Sequence, residues 1–411
     1  MNMNCWKSPP LLLLAGLLCV ACNTTTVRTT EQTPTVTQTA ESIPESELMD
    51  VGIGIFDPGV DGMSPEQEGQ LVFPEVRKAE ARYFPNMLAT TLQNTGGWGV
   101  VRLVPDQRSE MDVWVDGEIL QSDGEFLKVA VTVRDASGRT WFTRTYDAEA
   151  SKYAYDASTP ENIDPFQGLY NRIANDMLAH RLVMDPAEVA RVRTITELKF
   201  AQKFAPEAFS DYLAVDKHGR YAIMGLPPEN DPLLERVRRI RERDNLFVDT
   251  LQDYYASFSS QLEQPYRQWR RESYEEAQIL RQTRSEANQR LVGGVLAVLG
   301  GIAAAVAGGS SDNPALRTLG SVAAVTGVAG GAMLIKSGVD KRTEAKMHLE
   351  TLKELSASLD AEIQPHTMTL EDRTVTLSGT VEQQYGQWRD ILRQIYEAET
   401  GAVSTPPATT N

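Results

Sequence analysis

In two runs, Asp112 to Leu120 and Glu125 to Arg134, a set of residues recurs strictly at every second position. Val113, Val115, Gly117 and Ile119 form one set, and Leu127, Val129, Val131 and Val133 the next. A period of two puts each set on one face of a pleated ribbon, and Ser122-Asp123-Gly124 between them has the composition of a tight turn. The two runs, Asp112 to Leu120 and Glu125 to Arg134, predict an antiparallel hairpin with one buried face. Such a face needs a covering layer.

The flanking sequence supplies one. Val51, Ile53 and Ile55 alternate ahead of an Asp57-Pro58-Gly59 turn, and Gly99 to Pro105 reads as another strand. Phe73 to Thr95 predicts a helix with Tyr83, Met87, Ala89 and Leu92 on one side, closed by Gly96-Gly97. Thr140 to Asp147 predicts a last strand, and Pro165 to Leu182 a helix through Phe166, Leu169, Ile173, Met177 and Leu178. The expectation is an α+β fold, with a mixed sheet and covering helices over residues 48–185. The Gly52-x-Gly54 pair lacks the third Gly and the immediate helix of a nucleotide loop, so it belongs to the strand.

The runs VGIGIF, NTGGWGVVRLVP, DVWVDGEIL and VAVTVRDASGRTW resemble the periplasmic domain shared by curli-secretion lipoproteins, the amino domain of TolB and lipoprotein activators of penicillin-binding proteins. The resemblance covers about a third of the chain. It implies protein binding rather than catalysis.

Residues 186–290 predict helix, with loops at Pro206, at His218-Gly219 and around 226–231. Arg236, Arg238, Arg239, Arg241 and Arg243 crowd one stretch. Guanidinium forks at this density suit phosphate, lipid A or peptidoglycan carboxylates, but Glu235, Glu242 and Asp244 beside them equally suit a solvated helix face. Tyr254, Tyr255, Phe258, Tyr266, Trp269 and Tyr274 suit helix packing.

Within 291–338 lie two uncharged runs of seventeen residues, Leu291 to Ala307 and Leu319 to Ile335, around a turn at Ser310 to Pro314. Small residues recur every four positions at Gly293, Ala297, Gly301, Ala305 and Gly309, and again at Ala323, Gly327 and Gly331. They form the small-xxx-small ridge that lets helices approach closely. In water each such Gly costs a helix about 1 kcal/mol relative to Ala, so packing or a membrane must compensate. The pair resembles the glycine-zipper hairpins of bacterial envelope lipoproteins. Insertion in a bilayer and burial within a soluble or oligomeric assembly both satisfy the pattern. Residues 339–363 predict a return helix, and 364–397 a small β-hairpin (Thr367 to Leu370 with Thr374 to Val381) plus a helix from Gln384 to Glu397. TVTLSGTV there is faintly similar to BON-type modules, and 398–411 form a Thr/Pro tail.

At the other end, Leu11 to Ala21 is an apolar run of eleven residues, too short to span a bilayer, and it stops at Cys22. Residues 1–22 resemble a bacterial lipoprotein signal, with Cys19 where the usual Leu stands. The resemblance implies a covalent lipid on Cys22 as first mature residue. With Asn23 next, it implies an outer-membrane anchor facing the periplasm. Residues 23–47, with nine Thr and almost no large apolar residue, predict a disordered tether.

Forty Lys plus Arg against 56 Asp plus Glu give a net charge of -16, which disfavours nucleic acid. The three Cys all lie in the signal, so the mature chain has no thiolate metal site. His180, His218, His348 and His366 stand singly, and no HExxH, GxSxG or Walker motif occurs. The expectation is a non-catalytic envelope lipoprotein needing no cofactor beyond its lipid, and no metal. Its expected partners are membrane lipid, envelope proteins and other copies of itself. Activation of a peptidoglycan synthase and membership of a secretion or assembly complex are the alternatives.

Overall fold

The computed structural model describes residues 35–39, 43–61, 73–105, 110–151, 153–156, 159–160, 163–228, 230–307, 351, 354, 366–370 and 373–400; beyond 278 in the long helix the description is of backbone alone. Cys22, the second Gly/Ala run with Gly309, Ala323, Gly327 and Gly331, all of the return helix except Thr351 and Glu354, and the tail from 401 lie outside these residues.

The elements run β1 (Val51–Gly54), α1 (Pro74–Gln93), β2 (Val101–Val104), β3 (Val113–Asp123), β4 (Phe126–Asp135), β5 (Thr140–Glu149), α2 (Gln167–Leu182), α3 (Pro186–Phe204) and the short α4 (Pro206–Phe209). Then come β6 (Leu213–Val215), β7 (Tyr221–Ile223), α5 (Pro232–Ala307), β8 (His366–Leu370), β9 (Arg373–Leu377) and α6 (Val381–Thr400). The fold is α+β, as the sequence predicts.

The main sheet has the order β2-β1-β3-β4-β5. β1 is parallel to β2 (Val51 opposite Val101) and to β3 (Val51 opposite Val113), whereas β3, β4 and β5 form an antiparallel meander. All four residues of β2 and the first three of β1 are buried, as expected where helices cover a parallel sheet. Along β4, Leu127, Val129, Val131 and Val133 are buried while the residues between them are partly or fully exposed, which is the alternation visible in the sequence. Pro74 opens α1 at a position whose N–H has no helical partner, and Gly96, at φ +67°, supplies the left-handed residue that ends the helical turn.

Three local details differ from the sequence reading. The stretch around His218-Gly219 is a small antiparallel hairpin, β6 with β7, whose three-residue strands are too short to carry a periodic signal. α6 starts at Val381, because Thr380 and Gln383 form a capping box: Gln383 Oε1 accepts the Thr380 N–H at 2.9 Å, and Thr380 Oγ1 accepts the Gln383 N–H at 3.3 Å. Part of the expected tether is held down. Arg181 and Arg193 donate to backbone carbonyls of Glu45, Ser46 and Glu47, and Val36 packs on the core.

A larger difference is that the body does not end near residue 185. α3 and α5 pack on it, and α6 packs on α5, so the described residues from Thr35 onward belong to one compact unit.

Candidate functional site

Many of the charged groups buried in this unit, among them Arg77, Glu80, Asp164, Asp244, Arg270 and Arg389, gather along α5. Glu80, on α1, has no exposed surface. Its Oε1 accepts hydrogen bonds from Ser122 Oγ on β3 and Tyr266 Oη on α5, each at 2.6 Å, and its Oε2 lies 3.8 Å from Arg77 Nε. Arg77 in turn donates to the Ile119 carbonyl at 3.2 Å. Burial pushes the Glu80 carboxyl above the usual carboxylate range, outweighing the pull of Arg77 and of the two hydroxyl donors.

Next to it, Arg270 of α5 grips Asp164 with both terminal nitrogens, at 3.0 and 3.4 Å, and Tyr83 Oη donates to the same carboxylate at 3.3 Å. The guanidinium lies 4.2 Å from the centroid of the Tyr266 ring. Burial opposes the charge on Arg270, but Asp164 and the surrounding tyrosines outweigh it, and the group is held well above its ordinary value. A cavity of about 210 Å³ opens beside this pair, lined among others by Tyr83, Asn86, Asp164, Ser259, Glu263 and Arg270. Glu80 does not line it.

Two further locks fix α5 along its length. Toward its start, Asp244 accepts from Arg389 Nη1 of α6 at 2.6 Å, and Phe247 stacks on Tyr385 and Trp388 at centroid distances of 6.3 and 5.3 Å. Arg389 also lies over the rings of Phe204 and Phe200. Farther along, Arg102 of β2 pairs with Asp249 at 2.6 Å, and the Gln252 amide bonds the backbone of Leu103. Past the cavity, the turn at Gly124 sits so tightly on α5 that a Cβ there would come 2.2 Å from the Arg270 carbonyl oxygen. Gln278 then donates to Glu125 at 2.9 Å.

Chemically this arrangement positions. Each buried charge is answered from another element, and the Glu80 carboxyl has no open path for a substrate. Among the described residues no group of His, Cys, Asp and Glu is placed to hold a metal ion. His180 stacks on Trp141 at 4.5 Å, with burial lowering its pKa, and His218 sits in the β6–β7 turn.

Three arginines of the run make ion pairs or hydrogen bonds within this unit. Arg236 donates to the Glu399 carbonyl at 2.8 Å, Arg238 bonds Glu197 and Glu235 at 2.6 Å, and Arg243 lies 3.7 Å from the Glu399 carboxylate. Arg241 is half-buried, its charge felt by Asp112 and Asp244, and Arg239 is exposed. Gly293, Ala297, Gly301 and Ala305 all lie on the backbone of α5. Where side chains are described, no helix is long and apolar enough to cross a membrane.

Glu80, Asp244 and Arg270 do not stand out as charged residues, but each interrupts an apolar helical stripe: Glu80 between Val76 and Phe84, Asp244 between Ile240 and Phe247, and Arg270 beside Tyr266 and Trp269. A charge on a buried stripe is the signal that would have found them. Gln252, between Val248 and Tyr255, is a polar residue on the same kind of stripe, whereas Asp164 carries no comparable mark.

No protein family, no curated protein and no solved structure matches the chain.

Proposed function

We propose that the protein is a non-catalytic lipoprotein of the bacterial outer membrane, anchored through Cys22, whose body binds another envelope protein and bases a helical arm carrying the Gly/Ala hairpin to lipid or to further copies. The observation that carries this reading is the continuity of α5. One helix, with 76 described residues and Pro265 in its interior, carries the locks described above and continues into the first uncharged run as far as Ala307. At about 1.5 Å per residue that is roughly 114 Å of helix, far more than covering the sheet requires. The signal-like segment ending at Cys22 and the domain resemblance support an envelope role, and the small-residue ridge supports close packing by the hairpin.

The test is expression of the full chain in a Gram-negative host with labelled palmitate, followed by membrane fractionation and cross-linking. The parent chain should carry label, sediment with the outer membrane and cross-link to itself or to an envelope protein, and Cys22→Ala should carry no label. A parent chain that is unlabelled and wholly soluble in the periplasm would overturn the reading.

A further inference from the structure

Thr35 to Thr39 lie against the end of α1 and the flank of α2. Asn175 of α2 holds this segment by its main chain from two sides. Its Nδ2 donates to the Thr35 carbonyl at 3.0 Å, and its Oδ1 accepts the Thr37 N–H at 2.7 Å. Two residues on, the Thr39 N–H donates to the Thr95 carbonyl at 3.0 Å. Bonded main-chain groups at residues 35, 37 and 39 recur with the period of an extended chain.

The side chains contribute differently. Thr35, Thr37 and Gln38 are exposed, with Gln38 reaching only the Asn94 carbonyl at 3.4 Å, whereas Val36 and Thr39 are half-buried. Val36 packs on the core, and Thr39 fits against Gly96 and Gly97. A Cβ on Gly96 would come 3.3 Å from Thr39 Oγ1, and one on Gly97 would lie 3.6 Å from Thr39 Cγ2. At Gly96 the floor lies close against the side chain of Thr39. It reads backbone at alternate residues, tests one aliphatic side chain at position 36 and demands a small residue at 39. A surface that bonds main chain in this way accepts any extended segment meeting those two conditions.

We propose that the groove between Asn175 and Thr95 is a binding site for an extended, uncharged polypeptide segment with a β-branched aliphatic residue at the position of Val36. The chain's own Thr35–Thr39 occupies it in cis, and a partner protein's segment of the same kind displaces it. The seated segment itself argues for this occupant, since it satisfies the groove almost entirely through atoms that every polypeptide has. Because it is joined covalently to the body, its effective concentration is on the order of millimolar, so a competing segment must gain affinity from contacts outside the groove. The inference stands independently of whether Cys22 carries lipid.

The experiment uses the full chain. Thr37→Pro with Thr39→Pro removes both N–H donors of the resident segment and should vacate the groove. These positions lie ahead of the first strand, and an unchanged thermal melt verifies that the body is intact. The probe is a fluorescein-labelled peptide with the sequence of residues 33–40, followed by anisotropy. It should bind the double-proline chain with Kd below about 0.1 mM and about tenfold or more tighter than it binds the unsubstituted chain. Adding Asn175→Ala should weaken binding to the vacated chain about tenfold, as should Val36→Asp in the peptide. Any one of three results overturns the proposal: no saturable binding to the double-proline chain, equal binding to the unsubstituted chain, or indifference to Asn175→Ala.

Discussion

The side-chain amide of Gln252 stands in for a further strand at Leu103. Its Oε1 accepts the Leu103 N–H and its Nε2 donates to the Leu103 carbonyl, both at 2.8 Å. β2 is the edge of the sheet, and an edge with unpaired main chain invites pairing with other chains. Here α5 closes it at Leu103 with one residue, beside the Arg102–Asp249 ion pair, and Gln93 of α1 donates to the Val101 carbonyl at 3.4 Å.

Gln252→Leu keeps much of the volume and leaves a donor and an acceptor of Leu103 unanswered. The expected cost is about 1–3 kcal/mol, read as a lower urea midpoint, together with a greater tendency to aggregate. Gln252→Glu, which still accepts the N–H but sets an oxygen against the carbonyl, should also be destabilising. Unchanged midpoints for both would mean that the edge is closed by something else.

The pair between Asp244 and Arg389 holds α6 on α5, and both side chains are buried. Removing one partner strands the other charge, so Asp244→Leu or Arg389→Met alone should cost about 3–5 kcal/mol. The double variant should be less destabilised than the sum of the two singles, because no charge is left buried. Simple additivity in this cycle, measured by urea unfolding, would show that the two residues are not coupled.

Burial raises the carboxyls of Glu80, Asp112 and Asp244 above their ordinary values, despite Arg77 near the first, Thr196 on the second and Arg389 on the third. Each group then keeps its proton more readily folded than unfolded. Above the ordinary carboxylate pKa and up to the raised one, the native state binds more protons and stability falls as pH rises. Glu80→Gln keeps an oxygen for Ser122 and Tyr266 but cannot titrate. Its melting temperature should therefore decline less steeply than the parent's as pH rises from about 4.5, the ordinary value for Glu80. Parallel curves for the two proteins would remove Glu80 from the account.

A packing ridge in the hairpin makes a prediction that a merely greasy anchor reverses. In a Cys22→Ala background, Gly301→Leu and Gly327→Leu should reduce cross-linked oligomer and carbonate-resistant membrane association more than Val298→Leu and Val325→Leu, which lie off the ridge. If the Gly variants assemble normally and bind membranes better, the segment holds by hydrophobicity alone.

Which of these features the sequence displays depends on the range of the forces involved. The β3–β4 hairpin, α1, α2 and α6 are legible because period and turn chemistry are local, although the register shift between Ile119 and Gln121 in that hairpin leaves no mark in the alternation. The joining of 186–290 to the sheet is not, since it rests on pairs such as Glu80 with Tyr266 and Asp164 with Arg270, whose members lie 186 and 106 positions apart. The docking of Thr35–Thr39 is hidden for another reason. Its bonds are made by main chain, and main chain has no letter in the sequence.

From Gln278, which donates to Glu125 of the body, the backbone of α5 continues helical to Ala307. That stretch is a lever about 43 Å long at 1.5 Å per residue, so a tilt of about 5° at its root swings the far end by about 4 Å. For a rigid helix, a displacement at the turn of Gly124 is therefore magnified several-fold at Ala307.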